Sequence, residues 1–221
     1  MRCLSCHTEI IPEVTWSTFW KPPTKDVACP MCIEQLNEIS DPFCPQCHRP
    51  DHKGVCKDCQ LWEKTHTDVL ERNVSVFPYN EFHKDIVARW KYRGDYVLVD
   101  IYKEAIQRKW SASGFKGMQV IHVPLSEERM QERGFNQSEA IIGLLGERST
   151  SPFERTHSEK QSKRGKKDRM YSKNPFQLIE ATSKPVVLVD DIYTTGRTIR
   201  HMAALLKETG CPSVSSFTIF R

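Results

Sequence analysis

The chain lacks any apolar run long enough to span a bilayer. Its opening stretch, MRCLSCHTEI, lacks the basic-then-apolar pattern of a secretory signal. No membrane insertion is expected, and a cytoplasmic location is. There is no heavy imbalance of charge either. A formal net charge of +4 over 221 residues does not by itself announce a nucleic-acid protein, so the placement of the charge matters more than its sum. In a reducing compartment the nine cysteines are not expected as disulfides, which favours metal binding for those that come in pairs. The length has room for one medium domain and a small appendage.

The cysteines are concentrated at the start. Cys3/Cys6, Cys29/Cys32, Cys44/Cys47 and Cys56/Cys59 form four CxxC pairs. Each pair can place two thiolates on one metal, and two pairs complete a tetrahedral Zn2+ site. Two zinc ions are therefore expected. Adjacent pairing is the simplest arrangement, with Cys3, Cys6, Cys29 and Cys32 on one ion and Cys44, Cys47, Cys56 and Cys59 on the other; interleaved pairing stays open. A redox dithiol is the rival reading of CxxC, but no βαβ pattern adjoins these copies. The segment is too polar to hold a core unaided, so metal should supply its folding energy. Between the first pairs, Trp16, Phe19 and Trp20 are expected to form a miniature core, base stacking being the alternative. Cys211 has no CxxC partner and reads as a small core residue.

Residues 1–62 thus read as a Cys-rich zinc-binding domain, and 70–221 as an α/β domain. Asn73 to Tyr79 reads as a strand that Pro78 restricts to an end or edge. Glu81 to Arg93 has Phe82, Ile86, Val87 and Trp90 at helical spacing and stops at Gly94. Tyr96 to Trp110 reads as a second helix, Gln119 to Leu125 as a strand, Asn136 to Glu147 as an amphipathic helix, and Ser213 to Phe220 as a last strand. Ser149 to Lys173 is polar and without periodicity, its Lys and Arg outnumbering three acids. It reads as a mobile basic loop over 149–173, with Lys163, Arg164, Lys166, Lys167 and Arg169 as candidates to track nucleic-acid phosphates.

The stretch VVLVDDIYTTGRT, Val186 to Thr198, carries the chemistry. Its continuous apolar run reads as a buried parallel strand, with Asp190 and Asp191 at its carboxyl end, where open α/β sheets bind ligands. Thr194, Thr195, Gly196, Arg197 and Thr198 then turn the chain into a helix. Amides of such a loop make an anion cradle, and Gly196 permits close backbone approach. The bland alternative is a pair of acids that merely caps the helix. Phosphate at the loop and two carboxylates above it suit a ribose phosphate, and the stretch resembles the phosphoribosyl pyrophosphate (PRPP) motif of type I phosphoribosyltransferases.

Further matches extend the resemblance to the ComF family. Lys91, Tyr92, Arg93, Gly94 and Asp95 match one block of it, and Pro124, Arg129, Arg133, Gly134, Phe135, Asn136 and Gln137 match another. In the basic stretch Gln161, Arg169 and Phe176 fit, while Ser172 stands where Asn is usual. The resemblance implies a type I phosphoribosyltransferase-like parallel sheet with helices on both faces, preceded by an N-terminal zinc-finger domain. It implies that Asp190 and Asp191 are the catalytic carboxylates on the ribose hydroxyls, and that residues 194–198 hold the 5′-phosphate. Leu125, Ser126, Glu127, Arg129 and Arg133 become pyrophosphate or lid candidates, with Mg2+ accompanying PRPP. The family's competence members imply single-stranded DNA handling in natural transformation, beside a ComFA-like helicase. The alternative is a phosphoribosyltransferase of nucleotide salvage that displaces pyrophosphate with a nitrogenous acceptor.

Overall fold

The computed structural model describes residues 1–11, 15–16, 19–20, 26–155 and 174–221. In chain order its elements are α1 (Pro30–Ile33), α2 (Lys57–Thr65), β1 (Asn73–Phe77), α3 (Glu81–Tyr92), a 3-10 turn (Tyr96–Tyr102), α4 (Lys103–Ala112), β2 (Gln119–His122), α5 (Glu127–Arg133), α6 (Gln137–Leu145), β3 (Ser149–Thr150), β4 (Phe153–Arg155), β5 (Phe176–Leu178), β6 (Val186–Ile192), α7 (Arg197–Glu208) and β7 (Val214–Phe220). The main sheet is wholly parallel in the order β1-β7-β6-β2-β3. β1 forms one edge and stops at Phe77, immediately before Pro78, whose missing N–H cannot extend the ladder.

Burial on both faces explains the unbroken apolar run of β6. Val186, Val187, Leu188 and Val189 have no exposed surface. Val187 and Val189 enter a cluster with Trp90, Ile106 and Ile141, from α3, α4 and α6. Val186 and Leu188 enter a second cluster with Ile199, Met202 and Leu206 from α7. Helices therefore cover both faces, and the central strand must be apolar at every position.

The two cysteine modules are built alike. In each, the first CxxC forms a knuckle whose next residue, His7 or His48, takes a positive φ of 61° or 57°. The knuckle is closed by matching backbone bonds: Cys3 N to Thr8 O at 2.9 Å and His7 N to Cys3 O at 2.9 Å; Cys44 N to Arg49 O at 2.9 Å and His48 N to Cys44 O at 2.8 Å. In each, the second CxxC opens a helix, α1 after Cys29 and α2 after Cys56. The first module packs with the α3/α4 side of the sheet, where Cys3, Cys29 and Cys32 join the same cluster as Trp90. The second joins the α7 side. There Asn73, Ser75 and Thr218 form a buried polar ladder, and His48 Nδ1 lies 3.1 Å from Ser75 N while Asn73 Nδ2 donates to Cys47 O at 3.3 Å.

Three expectations need correction. The segment read as a loop from 149 begins with two short strands: β3 extends the parallel sheet beside β2, and β4 pairs antiparallel with β5. Residues 156–173, including Lys163, Arg164, Lys166, Lys167 and Arg169, lie outside the described residues. The helix read from Tyr96 is a 3-10 turn until Lys103, because Leu98, Val99, Ile101 and Tyr102 all have to reach the core within two turns. Trp16, Phe19 and Trp20 form no core: they are 88%, 61% and 71% exposed and touch one another, with ring centroids 6.4 and 5.1 Å apart.

Candidate functional site

β6 delivers Asp190 and Asp191 to its carboxyl end with opposite surroundings, as alternation along a strand requires. Asp190 Oδ1 accepts from Ser138 Oγ at 3.3 Å and from the Asp191 amide at 2.9 Å. Part of its surface is accessible, but protein atoms wall it in. That desolvation, and then the neighbouring Asp191 charge, push its carboxyl up to about 7. Asp191, 8% exposed, closes an ion pair with Lys91 from the last turn of α3.

The loop beyond β6 is shaped by Gly196. Its φ of +75° is left-handed, and a Cβ placed there would lie 2.1 Å from the Tyr193 hydroxyl. No other residue fits this turn without displacing Tyr193, which is itself buried. Gly196 is the N-cap of α7, so the helix amino end opens onto the loop. Among the described residues none accepts a hydrogen bond from the backbone N–H groups of Thr194, Thr195 or Gly196. Arg197 lies along its own helix, its Nε 3.5 Å from His201 Nε2, and burial lowers its pKa. Thr194 is exposed; Thr195 and Thr198 are half-buried at the loop rim.

β2 lies beside β6, with Val123 N bonded to Val189 O at 3.1 Å, so residues 123–126 emerge next to Asp190. Leu125 and Ser126 are half-buried there. Ser126 does not face outward as a free hydroxyl: its Oγ accepts from Arg129 N at 3.4 Å and caps α5. Glu127 and Glu128 occupy the first turn of that helix, where acids favour its dipole. This accounts for two carboxylates so close to a proposed polyanion site.

The RGFNQ stretch is mainly architectural. Gly134, at φ +76°, ends α5; Asn136 caps α6 by accepting from Ser138 N at 2.8 Å and donates to Val123 O at 3.0 Å. Phe135 packs on Trp90 and Tyr96. Asn136 thereby ties the loop after β2 to the helix that presents Ser138 to Asp190. Arg133 Nη1 donates to Gln137 Oε1 at 2.6 Å, with its guanidinium over Tyr92.

Two further residues come to the candidate site. Lys91 was legible only as part of a matched block, with no sign that it reaches Asp191. Arg155, at the end of β4, falls in the stretch 149–173 that reads from sequence as a mobile basic loop. Burial, and then the positive charge of Arg129, bring its pKa down to about 10, with Asp190 opposing and Arg133 adding to the shift. Arg155 thus lies within electrostatic reach of Arg129, Arg133 and Asp190, and among the described residues none of the three arginines forms an ion pair with a carboxylate.

The cysteines sort into the two adjacent sets, Cys3/Cys6/Cys29/Cys32 and Cys44/Cys47/Cys56/Cys59, with all sulfurs of a set within 4.8 Å of one another. Tetrahedral Zn–S bonds of about 2.3 Å require S···S edges of about 3.8 Å. The separations are 3.6 Å for Cys6–Cys29, 3.6 Å for Cys47–Cys56 and 3.9 Å for Cys44–Cys59. These are too long for disulfides and fit Zn2+. Two N–H groups also support sulfur acceptors: within the set, the Cys56 backbone N donates to Cys44 Sγ at 3.3 Å, and from outside it Arg221 Nη2 donates to Cys47 Sγ at 3.1 Å.

Residues 151–221 match the phosphoribosyl transferase domain family. Over the whole length, the chain is 35% identical to competence protein ComFC of Bacillus subtilis across 226 residues, covering 99% of this chain and 94% of that protein. It is 30% identical to competence protein ComFC of Streptococcus pneumoniae across 224 residues, covering 100% of each. It is 26% identical to DNA utilization protein YhgH of Salmonella typhimurium across 208 residues, covering 87% of this chain and 89% of that protein.

Proposed function

The chain belongs to the ComFC family of competence proteins, and we propose that it is a PRPP-binding protein that handles single-stranded DNA during natural transformation. The observation that carries the PRPP part is the junction of an acid pair at the tip of a central parallel strand with a glycine-turned loop whose amides have no partner among the described residues. Asp190 and Asp191 accept from the ribose hydroxyls, and the backbone and hydroxyls of residues 194–198 take the 5′-phosphate. Leu125, Ser126, Arg129 and Arg133, joined by Arg155, face the pyrophosphate, which arrives with Mg2+. Lys91 pairs with the charged Asp191 carboxylate, which accepts from the ribose hydroxyls. The exposed Trp16, Phe19 and Trp20 supply stacking faces for bases, and the basic residues of 163–169 follow the DNA backbone.

No helix among the described residues is long and apolar enough to cross a membrane. We place the protein in the cytoplasm, beside a ComFA-like helicase. Binding of a fluorescent single-stranded oligonucleotide tests the DNA part. Affinity should fall steeply with added salt and weaken further when Trp16, Phe19 and Trp20 are replaced by Ala. Salt-independent binding, or none, would contradict it.

The match to the phosphoribosyl transferase domain family favours a second reading, transfer in nucleotide salvage. Positioning at the anomeric carbon and charge stabilisation by the surrounding cations would then displace pyrophosphate with a nitrogen nucleophile. Pyrophosphate release with a defined nucleobase distinguishes this from binding alone.

A further inference from the structure

The second cysteine module touches the phosphate loop directly. Trp62, three residues beyond Cys59 on α2 and 3% exposed, donates from Nε1 to Thr195 O at 2.7 Å. Arg221 Nη1 donates to Tyr193 O at 3.1 Å and Thr194 O at 3.0 Å. The same guanidinium donates from Nε to Cys47 O at 2.9 Å and from Nη2 to Cys47 Sγ at 3.1 Å. The carbonyls of three consecutive residues are thus drawn toward the cysteine module by two side chains.

The geometry of the trans peptide gives this a consequence. In each planar unit the carbonyl of one residue and the N–H of the next point in opposite directions. Holding the carbonyls of Tyr193, Thr194 and Thr195 on the module side turns the N–H groups of Thr194, Thr195 and Gly196 away from it. These are the amides without an acceptor among the described residues. A short helix such as α2 has little stability alone in water, so it keeps its place through packing and through the metal that its cysteines bind. Arg200 of α7 lies over the Trp62 ring at 5.5 Å and fixes the indole from the other side.

We propose that Trp62 and Arg221 are positioning residues for the phosphate loop, so that the folded second cysteine module sets how firmly the loop grips a 5′-phosphate. This rests on the PRPP reading above. It assigns the module a task at the sugar-phosphate site, separate from any contact with DNA.

The test uses the full chain with Trp62→Phe, which keeps a ring and removes the donor, Arg221→Gln, and the double variant. PRPP affinity is measured by calorimetry, metal content by elemental analysis, and hydrogen exchange over residues 193–200 without ligand. Each single change should weaken PRPP by about 3- to 10-fold, as expected for loss of hydrogen bonds that orient a binding group. The double variant should weaken it further, with both zinc equivalents retained and exchange across the segment accelerated. Wild-type affinity and exchange in the double variant would overturn the proposal. Loss of a zinc equivalent from Trp62→Phe would overturn it too, because Trp62 would then only hold the module together. If the wild type binds no PRPP while exchange still rises in the variants, the ligand assignment fails and the coupling stands.

Discussion

The carboxylate of Asp191 is closed by the ammonium of Lys91, and both side chains are almost wholly buried, at 11% and 12% exposure. Removing one partner of such a pair leaves an uncompensated charge in a poorly hydrated place. Lys91→Met should therefore destabilise the fold by about 2–4 kcal/mol, and adding Asp191→Asn should recover much of that loss. Urea denaturation of the two variants measures both. Additive losses would mean that the pair is not coupled.

Asp190 carries a stability cost that the site requires. Its folded pKa of about 7 lies above the ordinary value of 3.8, so the folded state holds its proton more tightly than the unfolded chain does. The associated stability is fully present below pH 3.8 and is lost as pH rises toward about 7. Asp190→Asn removes the charge that is hard to bury. Its thermal midpoint should exceed that of the wild type by roughly 3 °C or more at pH 8 and approach it near pH 4. A difference independent of pH would contradict this origin.

Gly196 is the position at which the loop tolerates least. A Cβ there meets the Tyr193 hydroxyl at 2.1 Å and is held at a φ of +75°. Gly196→Ala should either shift the loop or expel Tyr193, with a loss of PRPP affinity of at least about 10-fold. Calorimetry on the folded variant reads the effect. Pairing the change with Tyr193→Ala, which clears the steric conflict but not the backbone strain, should restore only part of it.

Much of this site could be read in the residues because the signals were local. Four consecutive β-formers buried on two faces made β6 and its acids visible, and CxxC spacing made the ligand sets visible. Adjacent cysteine pairing, the zinc-finger start and the parallel sheet with helices on both faces agree with the structure. What was missed depends on contacts across the chain. Lys91 reaches Asp191 over 100 positions, and nothing in its neighbours points there. Trp62 carries no signal in its sequence neighbours, although it meets Thr195 from 133 positions away. The likeness of the two cysteine modules did have a sequence signal, CLSCH and CPQCH, which the unequal spacing to the second pairs obscured. Arg155 was hidden by composition: in a run of basic residues, the one that turns inward looks like the rest. The aromatics at 16, 19 and 20 were misjudged because side-chain size alone argued for burial.

PRPP titration of the wild type against Asp190→Ala/Asp191→Ala, with zinc measured on the same samples, bears most directly on the sugar-phosphate site. Both proteins should carry two zinc ions per chain, and only the wild type should bind PRPP in the presence of Mg2+. Equal PRPP affinity in the double variant with its zinc intact would place the ligand elsewhere and contradict the assignment.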